Sequence, residues 1–237
     1  MSPIAANLQA VRRRIFEELQ GDTREVTLVG VTKGQPPSSI REAHAAGCRH
    51  FGESYVQEVT AKMEELGDLE ATWHFIGRLQ TNKARDVALR FHWVHAVDRT
   101  RLAAALSKAR PATLPPLDVC IQVNISAEAS KGGVAPGEAL ALAREVRELP
   151  RLRLRGLMGM ASATPERSAQ RAQFALLART KQAIGAAGIA LDTLSMGMSD
   201  DFEAAIAEGS NMVRVGTAIF GARPSPQPSP KGEGAPL

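Results

Sequence analysis

Apolar residues at the start of the chain, Ile4, Leu8, Val11, Ile15 and Leu19, recur at spacings of four and three, which places them on one face of a helix that Gly21 ends. Beyond it the period changes. Short runs rich in apolar and β-branched residues alternate with stretches of helical spacing. The runs are Val26 to Lys33, Cys48 to Glu53, Thr72 to Gly77, Phe91 to Val97, Leu117 to Ile125, Leu154 to Met160, Thr193 to Met198 and Met212 to Gly221. Between them, Pro36-Pro37 opens a segment closed by Gly47, and Val56, Val59, Met63 and Leu66 share one stripe. Further stripes are formed by Leu102, Ala105, Leu106 and Ala109, by Ala139, Leu142, Ala143 and Val146, and by Phe174, Leu177 and Ile184.

Strand and helix periods in alternation mark repeated βα units on a parallel sheet. Eight such strands close into a barrel, whereas an open doubly wound sheet of this length holds about five or six. No G-x-G-x-x-G follows the first run, which argues against a dinucleotide-binding fold. The expected fold is α/β, a single TIM (β/α)8 barrel with an extra N-terminal helix, spanning residues 1–223. The stretch 224–237, PSPQPSPKGEGAPL, has no apolar periodicity and is expected to be a disordered tail.

Composition agrees with this picture and narrows the partners. With 237 residues, 44% of them hydrophobic, the chain can bury one substantial core. Twenty-nine basic against 25 acidic residues leave a net charge of +4, too balanced for a nucleic-acid protein but suited to an anionic ligand. Two distant cysteines, Cys48 and Cys120, indicate neither a disulfide framework nor a metal site and read as small buried residues in a reducing compartment. The first residues lack a signal-like apolar core, and no stretch reaches the roughly 20 apolar residues that span a bilayer. A cytoplasmic protein without membrane contact is expected.

Candidate chemistry collects where runs end. Lys33 closes the first run in phase with Val29 and Val31, so alternation points the three to one side. At the C-terminal end of a barrel strand a partly buried lysine can attack an aldehyde; a surface lysine at a strand end fits the pattern equally. In MVRVGTAIFG, Gly216 allows close approach of an anion and Thr217 adds a hydroxyl, which suits the phosphate position common after strands seven and eight. Ser199, in LSMGMSDDFEAAIAEG, is placed to cap the following helix, with its hydroxyl able to turn toward the same anion instead. Asp200 and Asp201 read as first-turn residues complementing the helix dipole. Arg214 shares a strand face with Gly216 and can point inward at a ring, or pair at the rim. Glu53, Ser54 and Tyr55, and then His74, Gln80, Asn82 and Lys83, are polar at strand-to-helix crossings. Between Trp73 and Phe75, His74 reads as a hydrogen-bonded core histidine rather than a base. Lys131 lies in a loop before two glycines, either a lid or an ordinary surface loop.

Taken in order, GVTKGQP, HFGESYVQE, WHFIGRLQTNK, SMGMSDDFEAAI and MVRVGTAIFG closely resemble the pyridoxal phosphate homeostasis protein family, whose fold is that of the alanine-racemase-like barrels. The resemblance covers residues 4 to 223. It implies pyridoxal 5′-phosphate (PLP) held as a Schiff base on Lys33, with Arg214 facing the pyridine nitrogen and Ser199, Gly216 and Thr217 on the phosphate. Ser54, His74, Met196 and Lys131 are further cofactor-binding candidates on the same ground, Lys131 as a second lysine near the site. One departure is visible: the family's G-E-N is Gly52-Glu53-Ser54 here, so a hydroxyl stands where an amide is expected.

The implied function is intracellular vitamin B6 homeostasis, with the cofactor carried or stored and passed to PLP-dependent apoenzymes by a monomer without catalytic turnover. The alternative is a PLP-dependent amino-acid racemase. Racemisation commonly uses proton donors on both faces of the reacting carbon, and the only tyrosine, Tyr55, lies in a motif shared with the non-racemising family. A third reading, an aldolase forming its Schiff base on Lys33 without cofactor, accounts for the lysine and would use the glycine-rich corner for a phosphorylated substrate.

Overall fold

The computed structural model describes residues 2–126, 128 and 131–222; the tail expected over 224–237 lies outside the described residues. The chain opens with α1 (Pro3–Leu19), then alternates β1 (Thr27–Val31), α2 (Pro37–Ala45), β2 (His50–Glu53), α3 (Val56–Glu65), β3 (Thr72–Phe75), α4 (Ala84–Arg90), β4 (Trp93–Val97) and α5 (Thr100–Ala109). It continues through β5 (Leu117–Gln122), α6 (Ala139–Arg147), β6 (Leu152–Met158), α7 (Arg167–Ala186), β7 (Thr193–Ser195), α8 (Phe202–Ala207), β8 (Met212–Val215) and α9 (Thr217–Phe220). Each strand pairs in parallel with the next and β8 returns to β1, closing the expected eight-stranded barrel. Because every pairing is parallel, all strand C-termini open on one mouth.

Several boundaries depart from the sequence pattern for identifiable reasons. The sixth run starts two residues early because Leu152 pairs with Leu117. The eighth run, read as continuous strand, breaks at Gly216, and Thr217–Phe220 turn into a short helix. The first run leaves regular strand at Val31, and Thr32 to Gln35 form a tight turn closed by Gln35 N–H donating to the Thr32 carbonyl at 2.9 Å.

Burial separates into two layers. A large cluster lies between sheet and helices, where Leu8, Val11 and Ile15 of α1 join residues such as Ile40, Phe51, Phe75, Phe174 and Phe202. A second cluster, Val29, Trp93, Ala96, Cys120, Met158 and Met212, comes from strands β1, β4, β5, β6 and β8 and fills the barrel. Both cysteines are free and buried, and burial pushes each thiol up. Helix α1 begins with Ser2 accepting from Ala5 N–H at 3.3 Å and packs against α2, α8 and α9. Asn7 donates to the Ile219 carbonyl at 3.0 Å, and Arg12 reaches the Ala46 and Gly47 carbonyls at 3.1 and 2.7 Å. The extra helix therefore braces α9, the element beside the mouth. Among the described residues no helix is long and apolar enough to cross a membrane, and no His/Cys/Asp/Glu group could hold a metal ion.

Candidate functional site

Lys33 sits half-buried at the second position of the turn that ends β1. The turn is held from both sides: Thr32 N–H donates to the Gly52 carbonyl at 2.9 Å, and Gly34 adopts φ of 72°, a left-handed conformation that glycine takes without strain. Gly216 lies against the same strand end. A Cβ added there would stand 3.4 Å from both Val31 Cβ and the Val31 carbonyl oxygen, so β8 and β1 approach closely two residues ahead of Lys33.

Ser199 completes this corner in an unexpected way. Asp201, not Ser199, occupies the position before α8, and it caps no helix N–H: its Oδ1 turns back to accept from Met198 N–H at 2.6 Å. Ser199 Oγ instead accepts from Ala218 N–H at 3.3 Å, which brings its hydroxyl to the first turn of α9 beside Gly216 and Thr217. The correction has a simple cause: two further residues, Asp200 and Asp201, separate Ser199 from the start of α8. Lys33, Ser199, Gly216 and Thr217 thus come together from the ends of β1, β7 and β8.

Arg214 pairs in register with Val29 and is buried inside the barrel. Its guanidinium donates to Ser195 Oγ at 2.7 Å and to the Gly159 carbonyl at 3.1 Å. Burial lowers its pKa to about 10, partly opposed by Asp201, so it remains a cation at neutral pH. His74 is fully buried among other rings, bonded to His50 at 3.0 Å and His95 at 2.9 Å and stacked on Trp93. Burial holds both His74 and His95 well below the ordinary imidazole value.

The remaining candidates are more dispersed. Ser54 follows β2, half-buried; a Cβ on Gly77 would lie 2.3 Å from its carbonyl oxygen, so only glycine admits this contact between the ends of β2 and β3. Met196 is fully buried in the layer between sheet and helices. Lys131 Nζ donates to the Ala161 carbonyl at 2.7 Å and to Glu128 Oε1 at 3.2 Å, beside an open cleft of ≈ 580 Å³ that Met160, Ser162, Gln170, Met198 and Asp201 also line. Gln80 and Asn82 are exposed and Tyr55 is 56% exposed. Glu53 is buried under α3, its Oε1 accepting from Thr32 Oγ1 at 2.8 Å and Lys62 Nζ at 2.9 Å. Its Oε2 has no partner among the described residues, and burial raises its pKa against the pull of Lys62.

Sequence reasoning passed over His50, His95, Ser195 and Lys62. A signal for the first two was present, a histidine at strand positions in each of the second, third and fourth runs.

A closed parallel barrel with a lysine just past the end of β1 and a glycine–serine corner between β7 and β8 defines the class, and the chain matches the alanine racemase N-terminal domain over residues 2–224. It is 54% identical over 226 residues to the pyridoxal phosphate homeostasis protein of Pseudomonas aeruginosa, covering 94% of this chain and 97% of that one. PipY of Synechococcus elongatus, solved without PLP, superposes with a TM-score of 0.83 at 38% identity, over 92% of this chain and 100% of PipY. Its PLP-bound form gives a TM-score of 0.78 at 37% identity with the same coverage. The chain belongs to the pyridoxal phosphate homeostasis protein family.

Proposed function

We propose that this protein binds PLP as a reversible Schiff base on Lys33 and serves intracellular vitamin B6 homeostasis by carrying the cofactor and handing it to apoenzymes. The observation that carries the reading is the meeting of the Lys33 turn with the Ser199–Gly216–Thr217 corner at one side of the mouth. A phosphate monoester needs donors on a backbone it can approach closely, and this corner offers a serine hydroxyl, a threonine hydroxyl and a glycine. The aldehyde needs an amine across the pyridine ring from that phosphate, and Lys33 lies in the turn that follows β1, two residues past the Val31 that Gly216 approaches. Arg214, a donor without acceptor capacity, suits an unprotonated pyridine nitrogen. The residues present therefore fit the group, and PLP when bound supplies an aldehyde that exchanges between amines.

Handing over without turnover is supported by the tyrosine content of the chain and by the name of a relative. The one tyrosine, Tyr55, stands exposed before α3, and the Pseudomonas aeruginosa relative named above is called a homeostasis protein rather than an enzyme. The carrier is taken to be a cytoplasmic monomer; light scattering of the purified chain checks the oligomeric state. Incubation with PLP, a visible absorption spectrum, borohydride reduction and peptide mapping test the site. A reduced pyridoxyl group on Lys33, absent from Lys33→Ala, is expected, followed by activation of a PLP-free aminotransferase by the loaded protein. Failure to modify Lys33 with PLP in excess refutes the assignment, and measurable exchange of an amino acid's α-proton refutes the absence of turnover.

A further inference from the structure

Inside the barrel a single file of hydrogen bonds crosses five strands. Arg214 Nη1 donates to Ser195 Oγ at 2.7 Å, Ser195 Oγ meets His95 Nδ1 at 2.8 Å, His95 Nε2 meets His74 Nδ1 at 2.9 Å, and His74 Nε2 meets His50 Nδ1 at 3.0 Å. Arg214, Ser195, His95 and His74 are buried, and His50 is half-buried at the start of β2, where it lines an open groove with Arg12, Thr27 and Arg49. One direction of this file is fixed by chemistry: a guanidinium only donates, so Ser195 Oγ accepts from Arg214. The hydroxyl keeps a second lone pair, so its contact with His95 Nδ1 can run either way; donation to Nδ1 gives the buried hydroxyl proton an acceptor, whereas acceptance from it would leave that proton without one among these partners. With the hydroxyl donating, a neutral His95 carries its proton on Nε2 and donates to His74 Nδ1, and His74 in turn donates from Nε2 to His50 Nδ1. Nothing in the sequence spacing announces this, because the links join residues 19, 100, 21 and 24 positions apart.

We propose that Ser195, His95, His74 and His50 are positioning residues that hold the Arg214 guanidinium through a one-directional hydrogen-bond relay, each imidazole neutral and protonated on Nε2. The proposal rests on the reading that Arg214 faces the pyridine nitrogen of PLP, and it explains how a cation buried in the barrel keeps one orientation toward that ring. Ser195 supplies the guanidinium with a fixed acceptor, and the imidazoles, His74 stacked on Trp93 and edge-on to His95, fix Ser195 in turn. Burial favours the neutral form of His74 and His95, which a relay of this polarity requires. Without the relay the guanidinium would keep, of its two hydrogen-bond acceptors, only the Gly159 carbonyl and could swing away from the ring.

The test is long-range 1H–15N correlation of the imidazole nitrogens in the histidine-labelled full chain, without PLP and at neutral pH. For His50, His74 and His95, Nδ1 is expected to resonate as an unprotonated and Nε2 as a protonated nitrogen. Ser195→Ala should abolish the single tautomer at His95 and weaken PLP binding about tenfold, the loss of roughly one charged hydrogen bond. Ser195→Thr, which keeps the hydroxyl, should restore both. An Nδ1-protonated or doubly protonated His74 or His95 in the wild-type chain overturns the relay, as does a Ser195→Ala variant with His95 and PLP affinity unchanged. The wild-type spectrum stands even if the variants do not fold. Wild-type protein that takes up no PLP would instead refute the cofactor reading while leaving the tautomers as measured, so the two failures are separable.

Discussion

The buried histidines make acid stability a quantitative test of the barrel interior. His74 and His95 have no exposed surface, and burial depresses both from the ordinary value of 6.5. A histidine whose folded pKa lies below its unfolded one binds more protons when unfolded, so its contribution is fully present above pH 6.5 and is lost as pH falls below it. With both held neutral when folded, each loses roughly 1 kcal/mol between pH 7.5 and 5.5, together about 2–3 kcal/mol. His50 and His92 are shifted in the same direction, so their effect adds to this one. Glu53 and Asp201 act oppositely: burial raises their folded values, and their contribution is lost as pH rises, so they blunt the fall on the acid side of the window. Urea unfolding at pH 7.5, 6.5 and 5.5, extrapolated to water, measures the sum. Repeating the series with Glu53→Gln and Asp201→Asn removes the opposing carboxyls; a loss still smaller than about 1 kcal/mol between the extremes would show that a buried imidazole takes up a proton in the folded state, and the account of the barrel interior would be wrong.

Three further outcomes follow from particular contacts. Lys62→Met leaves the Glu53 carboxylate buried without its cation and should cost about 3 kcal/mol at pH 7.5 by urea unfolding, less at pH 5 as Glu53 protonates; Lys62→Met with Glu53→Gln should recover most of it. Gly77→Ala places a methyl 2.3 Å from the Ser54 carbonyl oxygen, and a loss of about 1–3 kcal/mol is expected, since backbone on both sides must move. Gly34→Ala forces alanine to φ of 72° in the Lys33 turn; a loss of about 1–2 kcal/mol is expected in thermal unfolding, with slower borohydride trapping of PLP because Lys33 is displaced.

Much of the fold was legible because its physics is local. The eight apolar runs and the helical stripes each report burial of one face, and parallel closure follows from their number and alternation. Lys33 and Gly216 stood out for the same reason, one a cation ending an apolar run and the other a gap in side chains where an anion fits. Other features needed the tertiary structure. Ser199 reads as a cap from its neighbours, but its hydroxyl bonds Ala218, 19 residues on, because β7 and β8 lie side by side. The end of the eighth run is as apolar as a strand and becomes helix because β1 gives it no partner beyond the Gly30–Val215 pair. Glu53 reads from sequence only as a polar residue at a strand-to-helix crossing; that it is buried and paired with Lys62 follows from α3 folding over the strand ends and removing both from water. His50, His95 and Ser195 are separate polar letters in three apolar runs. Only closure of the barrel sets them against Arg214 in one file of hydrogen bonds, on which the proposed relay rests.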